Sequence, residues 1–142
     1  MRARKTASFG AAYNYSQIAY APTPMPTELA AICEKIQSIL GFYPNNCLMN
    51  YYTDNKSSMG FHSDNIEELL SGTGVAIISL GSKRSIVYRK KEDSAVRFDY
   101  PLAHGSLLYM NDAIQKEWLH AIPKSTVPGD RISLTFRQLR PT

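Results

Sequence analysis

Apolar residues in TELAAICEKIQSIL, residues 27 to 40, fall at Leu29, Ile32, Cys33, Ile36, Ile39 and Leu40. That spacing lines one side of an α-helix, with Thr27 as the expected N-cap and Gly41 just past the end. Prolines at 22, 24 and 26 forbid regular structure immediately before it. Beyond this helix, which is expected to buttress a sheet, the period shortens. CLMNYYT (47–53), GVAIISLG (74–81), RSIVYRK (84–90), AVRFDY (95–100), SLLYMN (106–111), WLHAIP (118–123) and RISLTFRQL (131–139) are short segments rich in β-branched and aromatic residues. Gly, Pro, Asp and Ser clusters separate them, as turns would. Many short strands after one helix predict a mainly β fold with a flanking helix, a barrel or jelly roll.

Composition narrows the class. A chain of 142 residues, 44% hydrophobic and 20% charged, is expected to form one domain over 1–142 with a core of its own. No apolar run approaches the roughly 20 residues of a membrane helix. The start, MRARKTASFG, is basic but has no apolar stretch behind it, so it does not read as a secretory signal. Cys33 and Cys47 sit in apolar segments without CxxC spacing, as buried thiols of a reducing compartment do. A cytoplasmic or nuclear, non-secreted protein is the expectation, with nothing suggesting an obligate dimer. The net charge of +4 is clustered at Arg2, Arg4 and Lys5 and again at Lys83, Arg84, Arg89, Lys90 and Lys91. Such clusters suit a polyanion such as nucleic acid, or the solvated tip of a hairpin.

Candidate chemistry lies in four places. In RISLTFR, Ile132, Leu134 and Phe136 alternate with Arg131, Ser133, Thr135 and Arg137. The period of a strand puts both arginines on one face, where they serve a solvent-facing edge or a pocket for carboxylate or phosphate. In NYY, Asn50 and Tyr52 share a face while Tyr51 points the other way with Met49. An inward Asn needs partners. In GFHSDNIEE, His62 and Asp64 leave an extended segment on the same side and can converge on one cation. A third ligand must come from elsewhere. His104 in LAHGS precedes the turn at Gly105, whereas His120 in WLHAIP lies mid-strand, where an imidazole is held rigidly. Two histidines and a carboxylate on one side of a metal leave positions open for substrates, as in non-haem Fe(II) oxygenases.

NYYTDNKSSMGFHSDN, LAHGSLLYMN, WLHAIPK and RISLTFR together resemble the AlkB family of Fe(II)/2-oxoglutarate-dependent dioxygenases, in the same order from about Arg4 to Arg137. The resemblance implies a double-stranded β-helix core over 46–140, with 27–40 as the buttressing helix and 1–20 as a nucleotide-recognition segment. It implies His62, Asp64 and His120 as iron ligands, and Asn50, Tyr52 and Arg131 around the distal carboxylate of 2-oxoglutarate. Arg137 is implied near the metal-side carboxylate and the substrate. In RKTASFGAAYNYS, Tyr13 and Tyr15 would present an aromatic face to an extruded base, Tyr15 by stacking, while Arg4 and Lys5 would track phosphates. The implied reaction consumes O2 and 2-oxoglutarate, yields succinate and CO2, and releases an N-methyl group of a damaged base as formaldehyde.

Three departures from the family pattern bear on what carries over. Ile66 stands two residues after Asp64, where relatives often have an acid that contacts the base. Ser133 stands where Asn is common, and a hydroxyl replaces one amide hydrogen bond but not two, so weaker cosubstrate binding is expected. The chain begins without the wedge hairpin of duplex-acting members, which predicts a single-stranded DNA or RNA target. A monomer is the separate expectation. Two alternatives stand beside nucleic-acid demethylation. One is an iron oxygenase of a protein or small molecule, which Ile66 favours. The other is a non-catalytic barrel, which the retained His62, Asp64, His120, Arg131 and Arg137 oppose.

Overall fold

The computed structural model describes residues 4–15, 18–64 and 66–141, with the backbone alone at Asn14, Tyr15 and Ile18. The elements, in chain order, begin with β1 (Lys5–Gly10), β2 (Tyr13–Tyr15), β3 (Ile18–Tyr20) and α1 (Thr27–Leu40). They continue with β4 (Asn46–Tyr52), β5 (Met59–His62), β6 (Val75–Gly81), β7 (Arg84–Lys90) and β8 (Arg97–Leu102). The last are β9 (Leu107–Met110), α2 (Asp112–Glu117), β10 (Trp118–Ile122) and β11 (Arg131–Arg137). A five-stranded antiparallel sheet runs β1-β4-β11-β6-β9 and a four-stranded one runs β5-β10-β7-β8, with β2 and β3 as a separate hairpin.

The two sheets face each other, as the double-stranded β-helix requires. Leu48 and Tyr52 of the large sheet pack with Ile86, Tyr88 and Ile122 of the small one. The other face of the large sheet is covered by α1, whose Leu29, Cys33 and Ile36 meet Ala76, Leu134 and Phe136. Burying Leu29 and Ile36 stabilises this contact by about 1.5–3 kcal/mol each. Both cysteines are free and buried, as their apolar surroundings predict.

Helix and strand positions follow the hydrophobic pattern closely, and the differences have local causes. Thr27 is the first helical residue and not the cap: Pro26 occupies that position at φ −59° and ψ 150°, and its carbonyl accepts from Ala30. A proline conformation already suited to a helix start replaces a side-chain cap. Gly41 ends α1 with φ 83°, its N–H donating to Gln37 O. The predicted strand 95–100 begins later, at Arg97, because the Asp93 carbonyl and carboxylate accept from Val96 and Ala95 and hold a turn there. The short helix α2 carries no apolar stripe long enough to read from periodicity. Its signal is Asn111, whose Oδ1 accepts from the Ile114 N–H at 3.1 Å.

Candidate active site

β11 is the middle strand of the large sheet, bonded to β4 on one side and β6 on the other. Its period divides the side chains as expected: Leu134 and Phe136 enter the layer under α1, while Arg131, Ser133, Thr135 and Arg137 line the space between the sheets. Asn50 and Tyr52 of β4 line the same space. Across from them, β10 lies beside β5 with His120 directly opposite His62. Asp64 follows β5, and its backbone N–H donates to Gln115 Oε1 of α2 at 2.8 Å. One nitrogen or oxygen from each of His62, Asp64 and His120 lies within 4.8 Å of the others.

The donor set is prepared for a cation. His62 Nδ1 donates to the Gly60 carbonyl at 2.8 Å, which leaves Nε2, 3.9 Å from Asp64 Oδ1, with its lone pair toward the other donors. Asp64 Oδ2 accepts from Arg137 Nη2 at 2.8 Å. Burial alone would push this carboxyl up, but Arg137, His120 and His62 together hold it below its ordinary range. Burial, then His62, push the His120 imidazole down to about 4. Its Nδ1 is buried without a hydrogen-bond partner among the described residues. A neutral imidazole and an ionised carboxylate are the forms in which these side chains ligate a metal.

At the other end of the pocket Arg131 is 2% exposed and donates through Nη2 to Ser79 Oγ at 2.9 Å. Its guanidinium carbon lies 5.0 Å from the centre of the Tyr52 ring. Burial lowers its pKa, opposed by the Tyr52 hydroxyl, and Nε and Nη1 reach no acceptor among the described residues. A buried guanidinium with open donors is a ready partner for an anion. The residues present therefore fit both groups the resemblance implies: a metal at His62, Asp64 and His120, and a carboxylate at Arg131.

A match to the 2OG-Fe(II) oxygenase superfamily model covers residues 2–137. The chain belongs to that superfamily, in its AlkB family. It is 34% identical over 149 residues to human DNA oxidative demethylase ALKBH2, covering 96% of this chain and 56% of that protein. It is 35% identical over 150 residues to rat alpha-ketoglutarate-dependent dioxygenase alkB homolog 3, covering 97% of this chain and 50% of that one. The chain thus spans little more than half the length of these relatives. The solved structure of OsALKBH1 aligns with a TM-score of 0.62 at 22% identity over 84% of this chain, a likeness of fold.

The remaining expected site residues of this AlkB-family chain divide into those that join the pocket and those that do not. Ser133 lines it beside its cross-strand neighbours Asn50 and Ser79. Arg4 donates through Nε to Asn50 Oδ1 at 3.0 Å, and Lys5 is exposed on the edge strand β1. Tyr13 is buried, its ring 4.7 Å from the Arg137 guanidinium carbon, so it supports that arginine and offers no open face. The Tyr15 side chain lies outside the described residues. Ile66 packs against the central core. His104 is no ligand; its Nδ1 accepts from the Gly81 N–H at the β6–β7 turn.

One residue was misread from sequence and another was not singled out. Arg84 is not part of a surface cluster: it is 2% exposed, donates to the Ser57 and Pro123 carbonyls, and sits 5.4 Å from the Tyr52 ring centre. Its alternation with Ile86 and Tyr88 was the available signal, and the neighbouring charges masked it. Gln115, 1% exposed, holds the Asp64 backbone and carries no signal in the sequence at all.

Proposed function

We propose that this protein is an Fe(II)- and 2-oxoglutarate-dependent dioxygenase that removes N-methyl groups from nucleic-acid bases of the 1-methyladenine and 3-methylcytosine type. The observation that carries the reading is that His62, Asp64 and His120 line the same pocket as the buried, anion-seeking Arg131. When bound, Fe(II) would couple the reduction of O2 to the oxidation of 2-oxoglutarate and of a strong C–H bond, with succinate, CO2 and formaldehyde as products. The chain's own residues supply position and charge. Arg131, with Tyr52, Asn50 and Ser133 beside it, would hold the distal carboxylate of 2-oxoglutarate. Arg137 holds Asp64 anionic and in place. The apolar walls formed by Leu48, Ile86 and Ile122 keep water from the reacting groups.

The name of the ALKBH2 relative, a DNA oxidative demethylase, supports nucleic acid as the substrate class, and that of alkB homolog 3 supports the 2-oxoglutarate-dependent reaction. A pocket lying between two sheets takes a base that is out of its stack, and an unpaired strand offers one at the least cost, so the reading is for single-stranded DNA or RNA. A nucleic-acid target fits the cytoplasm or nucleus as its site of action. No helix among the described residues is long and apolar enough to cross a membrane.

The test is to incubate the protein with Fe(II), 2-oxoglutarate and ascorbate on single strands carrying 1-methyladenine or 3-methylcytosine, following methyl loss by mass spectrometry. Loss with wild type and not with His62→Ala is expected. Succinate formed while the strands stay intact would transfer the reaction to a protein or small molecule. Equal rates on duplex and single strand would remove the single-strand preference.

A further inference from the structure

Aromatic rings form a continuous path from the metal donors to the surface. His62 and His120 have ring centroids 4.2 Å apart, and Tyr88 lies 6.0 Å from His120. Phe98 stacks on Tyr88 at 4.8 Å with 18° between the planes. Phe98 then meets Trp118 edge-on at 4.9 Å and Tyr100 edge-on at 5.6 Å. Strand register explains the path. Tyr88 faces His120 on β10 and Phe98 on β8, Trp118 faces Lys90, and Tyr100 faces Ile86, so these side chains share the inner face of the small sheet.

Along this path the rings emerge from the core. Tyr88 is 2% exposed, Phe98 37% and Tyr100 54%. Contiguous exposed rings, unlike apolar residues scattered singly, form a patch of the kind that marks a binding surface. Cations accompany them. Lys90 Nζ lies 6.0 Å from the Trp118 ring centre, and on the outer face Arg89 and Arg97 approach Phe61 at 4.2 and 5.5 Å. The acids nearby in sequence are Glu92, Asp93, Asp99 and Glu117; Asp99 faces Val87, on the outer face of the sheet with Arg89 and Arg97. Exposed ring faces with a lysine beside them and arginines on the reverse of the same sheet suit a single-stranded polyanion that carries its own rings. A second copy of this chain would bring like charge to the same lip.

We infer that Phe98, Tyr100 and Trp118 form a second nucleotide subsite, which stacks an unpaired base next to the one entering the metal pocket, with Lys90 against the phosphate between them. The identity of the strand rests on the nucleic-acid reading above; the subsite itself rests on the ring path and its exposure. It reads base faces and not edges, so it accepts any sequence and rejects duplex, whose faces are already stacked.

Trp118 is the chain's only tryptophan, so its fluorescence reports on the lip directly. Metal-free protein is titrated with unmethylated oligothymidylate of about ten residues, with the same strand in a duplex, and with a single thymidine nucleotide. Saturable quenching by the single strand alone is expected. Phe98→Ala and Tyr100→Ala are each expected to weaken binding about tenfold, followed in parallel by anisotropy of a labelled strand. Lys90→Gln should flatten the dependence on salt. Because Phe98 packs on Tyr88 and its loss could loosen the edge strand, the decisive variant is Tyr100→Ala. Wild-type affinity in that variant, or quenching by duplex as strong as by single strand, overturns the subsite. Methyl loss without any lip binding would refute the subsite and leave the reaction; lip binding without methyl loss would do the reverse.

Discussion

Arg137 Nη2 donates to Asp64 Oδ2 at 2.8 Å, with both side chains only 3% exposed. The last residue of the central strand therefore holds the one carboxylate of the metal donor set. Its other oxygen, Oδ1, faces His62. The pair ties the large sheet to the small one at the point where a cation would sit.

Removing one partner leaves the other as an uncompensated buried charge. Arg137→Met is expected to destabilise the metal-free protein by about 3–5 kcal/mol in urea unfolding. It should also let Asp64 take a proton at higher pH, so that Mn(II) binding weakens most on the acid side of neutrality. A Mn(II) titration at two pH values reads this; an unchanged pH dependence would mean that Arg137 does not set the charge of Asp64.

Gln115 positions Asp64 through the backbone and never through the carboxylate. Gln115→Leu keeps the volume and removes the acceptor for the Asp64 N–H. Metal affinity is expected to fall roughly 10- to 100-fold, the usual cost of losing a group that orients a ligand. Isothermal titration with Mn(II) measures it, and Gln115→Glu, which retains an acceptor, should recover part of the loss.

The stability of the metal-free protein should depend on pH through His120. Its folded pKa, about 4, is below the ordinary 6.5, so the unfolded chain takes the proton first. Stability is then lost as pH falls through this window, by on the order of 3 kcal/mol. Asp64, also depressed, adds its own loss only below its ordinary value of 3.8, so the two effects separate. Thermal midpoints across the window, compared with His120→Gln, test the assignment: the variant should show a flatter profile.

Gly10 governs how β1 leads into the hairpin that sets Tyr13 beneath Arg137. Its φ is 89°, and a Cβ there would lie 2.1 Å from the Asn45 carbonyl oxygen. Gly10→Ala is expected to cost at least about 1–3 kcal/mol. Gly72, with φ 80° and nothing within 4 Å of a built Cβ, provides the control for backbone strain alone. Calorimetric midpoints of the two variants separate strain from collision, and equal losses would refute the close approach at Gly10.

Much of the site was legible before any tertiary information, for a local reason. A strand's side chains alternate by its own covalent geometry, so RISLTFR alone put Arg131, Ser133, Thr135 and Arg137 on one face, and NYY put Asn50 with Tyr52. The helix 27–40 was legible for the same reason, with a different period. Motif order then identified His62, Asp64 and His120 as ligands by resemblance.

Which faces meet is not a local property. The period tells that His120 and His62 point to one side of their strands, but only the pairing of β10 with β5 sets them opposite each other. Arg84 looked like part of a basic surface run because its neighbours in sequence are charged; it lies inside because it shares the face of β7 that carries Ile86 and Tyr88 into the core. The hold of Gln115 on Asp64, and the meeting of His120 and Trp118 with the Tyr88–Phe98 hairpin, exist only through contacts between elements that are not consecutive in the chain. The sequence by itself determined the elements, their apolar faces and the residue types available for chemistry, since these follow from backbone geometry and side-chain polarity. The tertiary structure decided register, burial and charge pairing, because those depend on which strand becomes the neighbour of which, and that choice minimises the free energy of the whole core.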